Sequence, residues 1–466
     1  MGNHSKLDRF STNVSTQTEP GAGLKATGFT AGTQPVAKNM NWLLSETIDK
    51  VNDVLEDGTI SGFDDSVGMA PIIQRYIPAG DDAGWSQPFD GPNLIEHGAA
   101  LAWVDLCAHV TSTGVREVLA LDGNSSCQVT RFDATTGALN GVSGDLSTGN
   151  LPAVGTEDWI PCAMCSDGTT VYITFKDFDA TPNETHYVQA FDIATWAVKA
   201  GWPGTGTALP GTGTGPVGYI HGDVEIVSAT QIATTNSWTT CAVPADAGLS
   251  VIGMADGVID VSGCGDGTAY PIFLTSDGTH IYFTNSSNDI NSADIATLAA
   301  GKGGDLPYTG GDCGGILFDG TRLHTTWNST TMLRSFLMGS GVCDFFGSST
   351  TGDIEYLQGL GKTAWDGLCL WARAKIDKNG TAKIGVARID TGQFCYETNA
   401  ADIAHVTIEH MVKSIMIIDH DAAISSMYQL AAPMIFDGRD IWVVGDMRDT
   451  EALSGNIYRI PKAVLR

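Results

Sequence analysis

The segment HVTIEH contains His405, Glu409 and His410, three side chains that can bind a metal ion or transfer protons. Zinc proteases carry a His-x-x-Glu-His helix whose two imidazoles lie one helical turn apart. Here His410 follows His405 by five positions, so the two imidazoles would diverge on a helix. We therefore interpret the pair as surface or half-buried histidines and predict no metal site in this segment.

The cysteines and the acidic loops give no metal signature either. Cys162 and Cys165 form a C-x-x-C, but neither a second cysteine pair nor a His-x-x-x-His lies at zinc spacing. Asn288–Asp294 and Asp377–Gly380 are rich in oxygen ligands, yet they lack the spaced aspartates and distal glutamate of an EF-hand. We predict turns in both segments, and neither a metal ion nor a cofactor for the chain.

Two Ser-Asp-Gly-Thr segments begin at Ser166 and Ser276. The Ser-x-Asp-x-Gly-x-Thr-Trp boxes of sialidases contain intervening residues and a tryptophan that both segments lack, which argues against a sialidase. The glycine-rich stretch 204–214 has no lysine and no following helix, so it does not predict a phosphate site. We name no catalytic residue from the sequence.

Tryptophans are the remaining candidates for a binding site. Trp85, Trp202 and Trp238 lie in polar, Gly- or Pro-rich text, where an indole can stack on a sugar or a partner protein. We name these three as candidate ligand platforms, with loop anchoring as the alternative. Four others lie in strand-like text and are assigned to the core, namely Trp103, Trp327, Trp371 and Trp442.

An Asp-Gly pair flanked by β-rich runs recurs along the chain. Glycine supplies the positive φ that a tight hairpin turn needs, so each pair predicts a hairpin. The pairs begin at Asp167, Asp277, Asp319, Asp366 and Asp437, and His221-Gly222-Asp223 lies near the middle of the longest interval. Further short strands with an Asp-led turn follow, as in FDATTG from Phe132 and FDIATW from Phe191.

Repeating units of ~40–50 residues with four strands each are typical of a β-propeller. The sequence therefore predicts a mainly β chain with a six- or seven-bladed β-propeller, preceded by an N-terminal extended arm and a short α-helix. The chain reaches its end on the third strand of a unit, so we expect a strand within Ala99–Val110 to complete the ring.

The N-terminal part differs in composition from the rest. Residues 1–38 are polar and predict an extended arm, and 39–57 predict a helix on which Leu44, Ile48, Val51 and Leu55 form one apolar stripe headed by Trp42. This stripe either packs on the main domain or mediates anchoring and oligomer contact. We assign 58–96 to a connector and 97–466 to the propeller.

Charge and hydropathy exclude several classes of partner. The net charge is -28, which disfavours binding to nucleic acid through a basic face. No window is apolar enough for a membrane span, and the N-terminus has no apolar core for a signal peptide, so we expect synthesis in the cytoplasm.

The segment Gly32–Leu44, GTQPVAKNMNWLL, follows the polar arm and opens the predicted helix. It resembles the start of many tailed-bacteriophage virion proteins, especially fibres, spikes and tail-associated subunits. The resemblance implies a homo-oligomeric virion protein, assembled in the host cytoplasm, whose N-terminal part docks on other virion proteins. The propeller would then bind a host-surface glycan or protein, or a neighbouring subunit. The alternatives are a carbohydrate-active hydrolase or lyase on a propeller, and a hub within a tail.

Overall fold

The computed structural model describes a mainly β chain. The described residues are 93–95, 103–111, 113–123, 127–152, 159–177, 186–210, 223–235, 248–263, 271–285, 290–298, 312–328, 331–337, 342–348, 354–357, 363–378, 381–390, 406–407, 412–419, 433–444 and 457–461. The chain divides into two compact units, Met1–Pro71 and Ile72–Arg466, and all described residues belong to the second. The predicted arm and helix lie outside the described residues.

The strands follow one another in short hairpins. In the first half of the chain they are β1 (Asn93–Ile95), β2 (Trp103–Val110), β3 (Arg116–Asp122), β4 (Val129–Asp133), β5 (Leu139–Val142), β6 (Trp159–Ser166), β7 (Thr170–Asp177), β8 (His186–Asp192), β9 (Thr207–Leu209), β10 (Val224–Ser228), β11 (Gln231–Thr235), β12 (Leu249–Gly253) and β13 (Ile259–Gly263). In the second half they are β14 (Pro271–Ser276), β15 (His280–Asn285), β16 (Ile290–Asp294), β17 (Asp312–Phe318), β18 (Arg322–Asn328), β19 (Thr331–Leu337), β20 (Val342–Ser348), β21 (Ile354–Leu357), β22 (Ala364–Trp365), β23 (Cys369–Lys378), β24 (Thr381–Asp390), β25 (Val406–Thr407), β26 (Val412–Asp419), β27 (Met434–Phe436), β28 (Asp440–Val444) and β29 (Ile457–Pro461).

Within the described residues these strands form seven sheets, numbered here along the chain. Sheets 1, 2 and 3 are the four-stranded runs β2–β5, β6–β9 and β10–β13, and sheet 4 is β14–β16. Sheet 5 is β17–β20 with β25 at its edge, sheet 6 is β21-β23-β24-β26 with β22 beside β23, and sheet 7 is β27-β28-β29-β1. Nearly all neighbouring strands are antiparallel, as consecutive hairpins require.

The sheets contact one another in a cyclic order. The contacts run from β2 to β6, β10, β14 and β17, continue from β18 to β21 and from β22 to β27, and return from β27 to β2. In two places a buried carboxylate connects neighbouring sheets. Asp105 of sheet 1 accepts the Met164 N–H of sheet 2 at 2.7 Å, and Asp223, which precedes sheet 3, accepts the Leu274 N–H of sheet 4 at 3.1 Å. A ring of consecutive antiparallel sheets is the arrangement of a β-propeller.

The Asp-Gly turns connect the first and second strands of their hairpins, as predicted. Neighbouring turns touch: a Cβ on Gly168 would lie 3.3 Å from the Val110 carbonyl oxygen, and Arg116 lies 3.7 Å from the Asp437 carboxylate. We call this end of the ring the turn face and the opposite end the loop face. Because strands alternate in direction, second-to-third-strand connections and the connections that follow a fourth strand leave from the loop face, whereas the connection that follows β16, the third strand of sheet 4, leaves from the turn face.

Three expectations differ from the structure, and the first is the segment Asn288–Asp294, which we predicted to be a turn and which contains strand β16. The ring is completed by Asn93–Ile95, which pairs with Ile457–Arg459 of β29, whereas Ala99–Val110 contributes β2 of sheet 1. The completing strand therefore comes from the segment that we assigned to the connector. In sheet 3, the hairpin turn is 229–230, and Asp223 precedes the first strand instead of forming the turn.

Aromatic side chains fill the spaces between sheets. Trp103, Trp371 and Trp442 are each at most 1% exposed, which confirms their assignment to the core, while the side chain of Trp327 lies outside the described set. Phe132 of sheet 1 lies 6.3 Å from both Trp103 and Trp442, measured between ring centroids. Sheets 1 and 7 thus share an apolar core where the ring closes. The described residues include no helix that is long and apolar enough to cross a membrane.

Candidate functional site

The turn face carries a repeated aspartate site at five hairpins. In sheet 4, the first carboxylate oxygen of Asp277 accepts hydrogen bonds from the N–H groups of Thr279 and His280 at 2.8 and 2.7 Å, and from the Thr279 hydroxyl at 2.7 Å. Gly278 between them has φ +85°, a region that glycine adopts without strain. The same backbone bonds recur at Asp167, Asp319, Asp366 and Asp437.

The second oxygen of each aspartate accepts a hydrogen bond from a ring five positions later. The donors, at 2.8–2.9 Å, are Tyr172, Tyr282, His324, Trp371 and Trp442. Each donor is the third residue of the second strand of its hairpin. A single side chain therefore fixes both the turn and the first residues of the strand that follows it.

Hydrogen bonds favour the ionised form of two of these carboxylates, Asp277 and Asp319. Burial opposes ionisation of Asp277, but bonds from Thr279, His280 and Tyr282 outweigh it and lower its pKa to about 2. Burial likewise opposes ionisation of Asp319, and the bonds from His324 and from backbone N–H groups lower its pKa well below the usual range. The lowered pKa values of Asp277 and Asp319 keep these two carboxylates negatively charged at neutral pH.

Asp319, His324 and Ser335 are bonded in the order of a Ser-His-Asp triad. His324 Nε2 lies 2.8 Å from the Asp319 carboxylate, and His324 Nδ1 lies 2.7 Å from the Ser335 hydroxyl oxygen. A carboxylate only accepts, so Nε2 carries a proton, and Nδ1 shares a hydrogen bond with the serine hydroxyl. The His324 ring stacks on Trp365 of sheet 6 at 6.0 Å.

The position of this group indicates a structural role. Ser335 is 0% exposed on the middle strand β19, so no substrate carbonyl reaches its hydroxyl in this structure. In the other four turns, the place of His324 is taken by tyrosine or tryptophan, which donate to the aspartate at 2.9 Å. His324 is therefore the histidine version of a donor that the fold requires.

A second polar cluster lies between sheets 1 and 2. His109 Nδ1 is 3.3 Å from the Ser166 hydroxyl, and Nε2 is 3.8 Å from the carboxylate of Glu117, which binds Arg131 at 2.8 Å. Burial lowers the pKa of His109 despite the attraction of Glu117. The Ser166 hydroxyl also accepts the Gly168 N–H at 3.1 Å, so the serine belongs to the turn and the cluster joins two sheets.

The residues that we predicted to form a site are placed as follows. Those outside the described residues are Trp42, Leu44, Ile48, Val51, Leu55, Trp85 and Trp238. Trp202 is 6% exposed, donates its indole N–H to the Met254 carbonyl at 2.9 Å, and packs on Tyr172 at 5.6 Å between ring centroids. The structure thus places Trp202 as a loop anchor, the alternative to a ligand platform.

The sequence contains a further signal for this site. In each Asp-Gly turn, the fifth residue after the aspartate is a ring that can donate a hydrogen bond, and this spacing identifies His324. Ser335 follows only from the pairing of β18 with β19, in which it lies opposite His324. Among the described residues, no three His, Cys, Asp or Glu side chains lie together as a potential metal site.

Comparisons with known proteins address only the fold. No protein-family model matches the chain. No curated protein matches it. Among solved structures, the β-propeller domain of Cps50 (Swd1) from Myceliophteria thermophila is similar over 79% of this chain and 99% of its own, with 10% identity and a TM-score of 0.47. The computationally designed Ika8 protein is similar over 79% of this chain and 98% of its own, with 12% identity and a TM-score of 0.41.

Proposed function

We propose that this chain is a structural and interaction protein of a virion, a spike, fibre or tail component, whose propeller presents binding loops at its loop face. The observation that carries the proposal is the difference between the two faces. At the turn face, five hairpins are closed by short Asp-Gly turns in which the aspartate accepts hydrogen bonds from the backbone of its own turn. Five of the longer connections, 143–158, 210–223, 236–248, 420–433 and 445–456, leave from the loop face, and three, 193–206, 295–311 and 391–405, leave from the turn face.

Rigid scaffolds with variable loops at one end are a common way to build binding surfaces. The turn-face aspartates hold the hairpins in place, so the loops at the opposite end can differ without disturbing the ring. A net charge of -28 disfavours nucleic acid as a ligand, and we propose a host-surface glycan, a host-surface protein or a neighbouring virion subunit.

The anchoring part of the proposal concerns the N-terminal segment. An apolar stripe of Leu44, Ile48, Val51 and Leu55, headed by Trp42, would contact other virion proteins or further copies of this chain. The likeness of Gly32–Leu44 to the start of phage virion proteins supports this role and a location in the virion. A short isolated helix is marginally stable in water, which favours a packed partner for the stripe.

The test of the anchoring role measures whether the protein is incorporated into particles. Without residues 1–56, the protein should remain folded and soluble but should no longer sediment with particles assembled in the host. A sharper pair of full-length variants is Val51→Asp, which charges the predicted stripe, and Asp53→Ala, which lies off the stripe and should still incorporate. Incorporation of the Val51→Asp protein at the wild-type level would refute the anchoring assignment.

Binding by the propeller needs its own assay. Purified protein should retain host-surface polysaccharide or cells without generating new reducing ends. Release of reducing ends would instead indicate a carbohydrate-active enzyme, the alternative that the sequence left open.

A further inference from the structure

Three exposed aliphatic side chains lie at the turn-face end of sheet 1. Val110 ends β2, Val115 precedes β3 and Leu139 begins β5, and they are 51%, 43% and 49% exposed. The group extends across the four strands of the sheet, which is about 14 Å at the usual strand spacing. We call these three residues the sheet 1 patch. Single exposed aliphatic residues are normal on a protein surface, whereas a group of them is typical of a contact surface.

Backbone hydrogen bonds connect the two turns that carry the patch. The Thr111 N–H donates to the Val115 carbonyl at 2.8 Å and closes the turn between β2 and β3. In the turn between β4 and β5, the Ala134 N–H donates to the carbonyl of Arg116, the residue after Val115, at 3.0 Å. The patch therefore lies on a fixed end of the sheet and does not have to be ordered by a partner.

The first turn of sheet 1 differs from the Asp-Gly turns of the other sheets. Its sequence, TSTG at 111–114, contains no charged residue. Gly114 has φ +81°, and a Cβ built on it would meet no atom within 4 Å. This turn therefore presents an uncharged, accessible surface on a chain whose net charge is -28.

The patch lies beside the place where the chain enters the ring. Strand β1 is antiparallel to β29 and takes the position of a fourth strand in sheet 7, so the chain reaches Asn93 from the turn face. Arg459, which is paired with Asn93, donates to the Thr135 carbonyl in the second turn of sheet 1. In the other direction, Arg116 of sheet 1 donates to the Asp437 carbonyl of sheet 7 at 3.5 Å. Two arginines thus join the end of sheet 1 that carries the patch to the sheet that the chain enters first.

We propose that the sheet 1 patch seats the ring on the virion subunit that holds the N-terminal part of this chain, against an uncharged apolar surface of that subunit. The inference rests on the proposed function and adds the side of the ring that faces the particle. Because the chain enters the ring beside the patch, a subunit that holds the preceding residues is tethered close to it. A tethered contact needs little area, since the tether sets a high effective concentration. A second copy of this chain is a poorer occupant, because two chains with a net charge of -28 repel each other.

The test compares cysteine reactivity in the purified full-length protein and in assembled particles. Leu139→Cys probes the patch, and Val258→Cys is the matched control. Val258 is 56% exposed and, like Leu139, follows the connection between a third and a fourth strand, but it belongs to sheet 3. Mass spectrometry identifies the modified peptide, so the native cysteines do not interfere. We expect both variants to react in the purified protein, and only Leu139→Cys to lose its reactivity in particles.

The outcomes separate this inference from the proposed function. If the wild-type protein does not sediment with particles, the proposed function fails and this inference fails with it. If it does sediment, reaction of Leu139→Cys at the rate of the purified protein overturns this inference alone, and so does equal protection of Val258→Cys. Protection of Leu139→Cys already in the purified protein also overturns it, and identifies the occupant as part of this chain or a second copy.

A charge placed in the patch gives an independent test. Leu139→Asp should keep the wild-type melting temperature, because the side chain is exposed. It should reduce the amount of protein retained on washed particles about tenfold, because the second of two linked contacts is lost. Val258→Asp should be retained like the wild type. Equal retention of the two variants would overturn the proposal.

Discussion

Four of the Asp-Gly turns fall into two kinds, those of sheets 2 and 4 and those of sheets 6 and 7. Both kinds have the same backbone hydrogen bonds, but they differ in the aromatic side chain that donates to the aspartate. Sheets 2 and 4 use tyrosine, and the residue opposite the ring on the next strand is small, Ala190 or Ser292. Sheets 6 and 7 use tryptophan, and the opposite residue is Arg388 or Arg459. The identity of the aromatic donor and that of its cross-strand neighbour therefore vary together.

Geometry explains the pairing with arginine. The Arg388 guanidinium lies 5.7 Å from the Trp371 ring centroid, and its Nε is 3.7 Å from the Asp366 carboxylate. An indole offers a broad face for a guanidinium, whose charge also favours the ionised aspartate. In sheet 2, the cation comes from outside the strand pair instead, because Lys199 Nζ donates to the Tyr172 hydroxyl at 2.9 Å. Tryptophan turns are thus more closed, with Asp366 and Asp437 at 3% and 7% exposure.

The largest effect is expected from removing an aspartate of a tryptophan turn. Asp437→Ala leaves the N–H groups of Arg439 and Asp440 and the indole of Trp442 without their acceptor in a buried place. We expect a loss of about 3–5 kcal/mol in the free energy of unfolding, measured by urea denaturation. Asp277→Ala in the tyrosine turn of sheet 4 should cost about half as much, because water reaches that turn.

Asp437→Asn is the control for this comparison. The amide keeps one acceptor oxygen for the backbone N–H groups, so this variant should lose less stability than Asp437→Ala. Equal losses for Asp437→Ala and Asp277→Ala would show that the lower exposure of the tryptophan turns does not add to the free energy of unfolding.

The hairpins were predictable because their signal is local. Asp-Gly with β-rich flanks fixes a turn within a few residues, and the ring donor five positions on is equally local. The strand Asn93–Ile95 was missed because three residues between turn formers show no alternation. Its pairing with β29 joins opposite ends of the described chain, which no local pattern encodes.

The turn of sheet 3 shows the same limit. Its hairpin turn, Ala229-Thr230, has no Asp-Gly, and the nearby Asp223 attracted the assignment because it follows a glycine. The structure uses the Asp223 carboxylate to accept an N–H from sheet 4, a contact between sheets that appears only in the folded ring. Trp202 likewise resembled an exposed residue because its surroundings are polar, whereas a loop folds its indole onto Tyr172.

An intermediate effect is expected from the tyrosine turn on acidification. The pKa of Asp277 is about 2 in the folded protein against 3.8 for the unperturbed group. A lowered folded pKa stabilises the protein above about pH 4, and this stabilisation is lost as the pH falls from about 4 to 2. Tyr282→Phe removes the phenol donor, so the folded pKa of Asp277 should rise and the protein should lose about 1 kcal/mol at pH 7.

The measurement is urea denaturation of wild type and Tyr282→Phe between pH 7 and pH 2. The difference between the two proteins should shrink toward pH 2, where Asp277 becomes protonated. In the Asp277→Asn background, Tyr282→Phe should show no such pH dependence. A difference that stays constant in both backgrounds would mean that the phenol acts through packing alone.

The smallest effect is expected at the third strands, whose aspartate turns have no ring donor five positions on. In sheet 2, Asp192 accepts the N–H and the hydroxyl of Thr195 at 2.9 and 2.8 Å, and the residue five positions on is Ala197. Asp192→Ala should cost at most about 1 kcal/mol, because water can hydrate the freed groups in this exposed turn. Asp167→Ala in the same sheet should cost more, since Tyr172 also loses its acceptor. Urea denaturation of the two variants compares the two turns within one sheet. An equal loss of unfolding free energy would assign the stabilisation to the backbone hydrogen bonds and not to the Tyr172 hydroxyl.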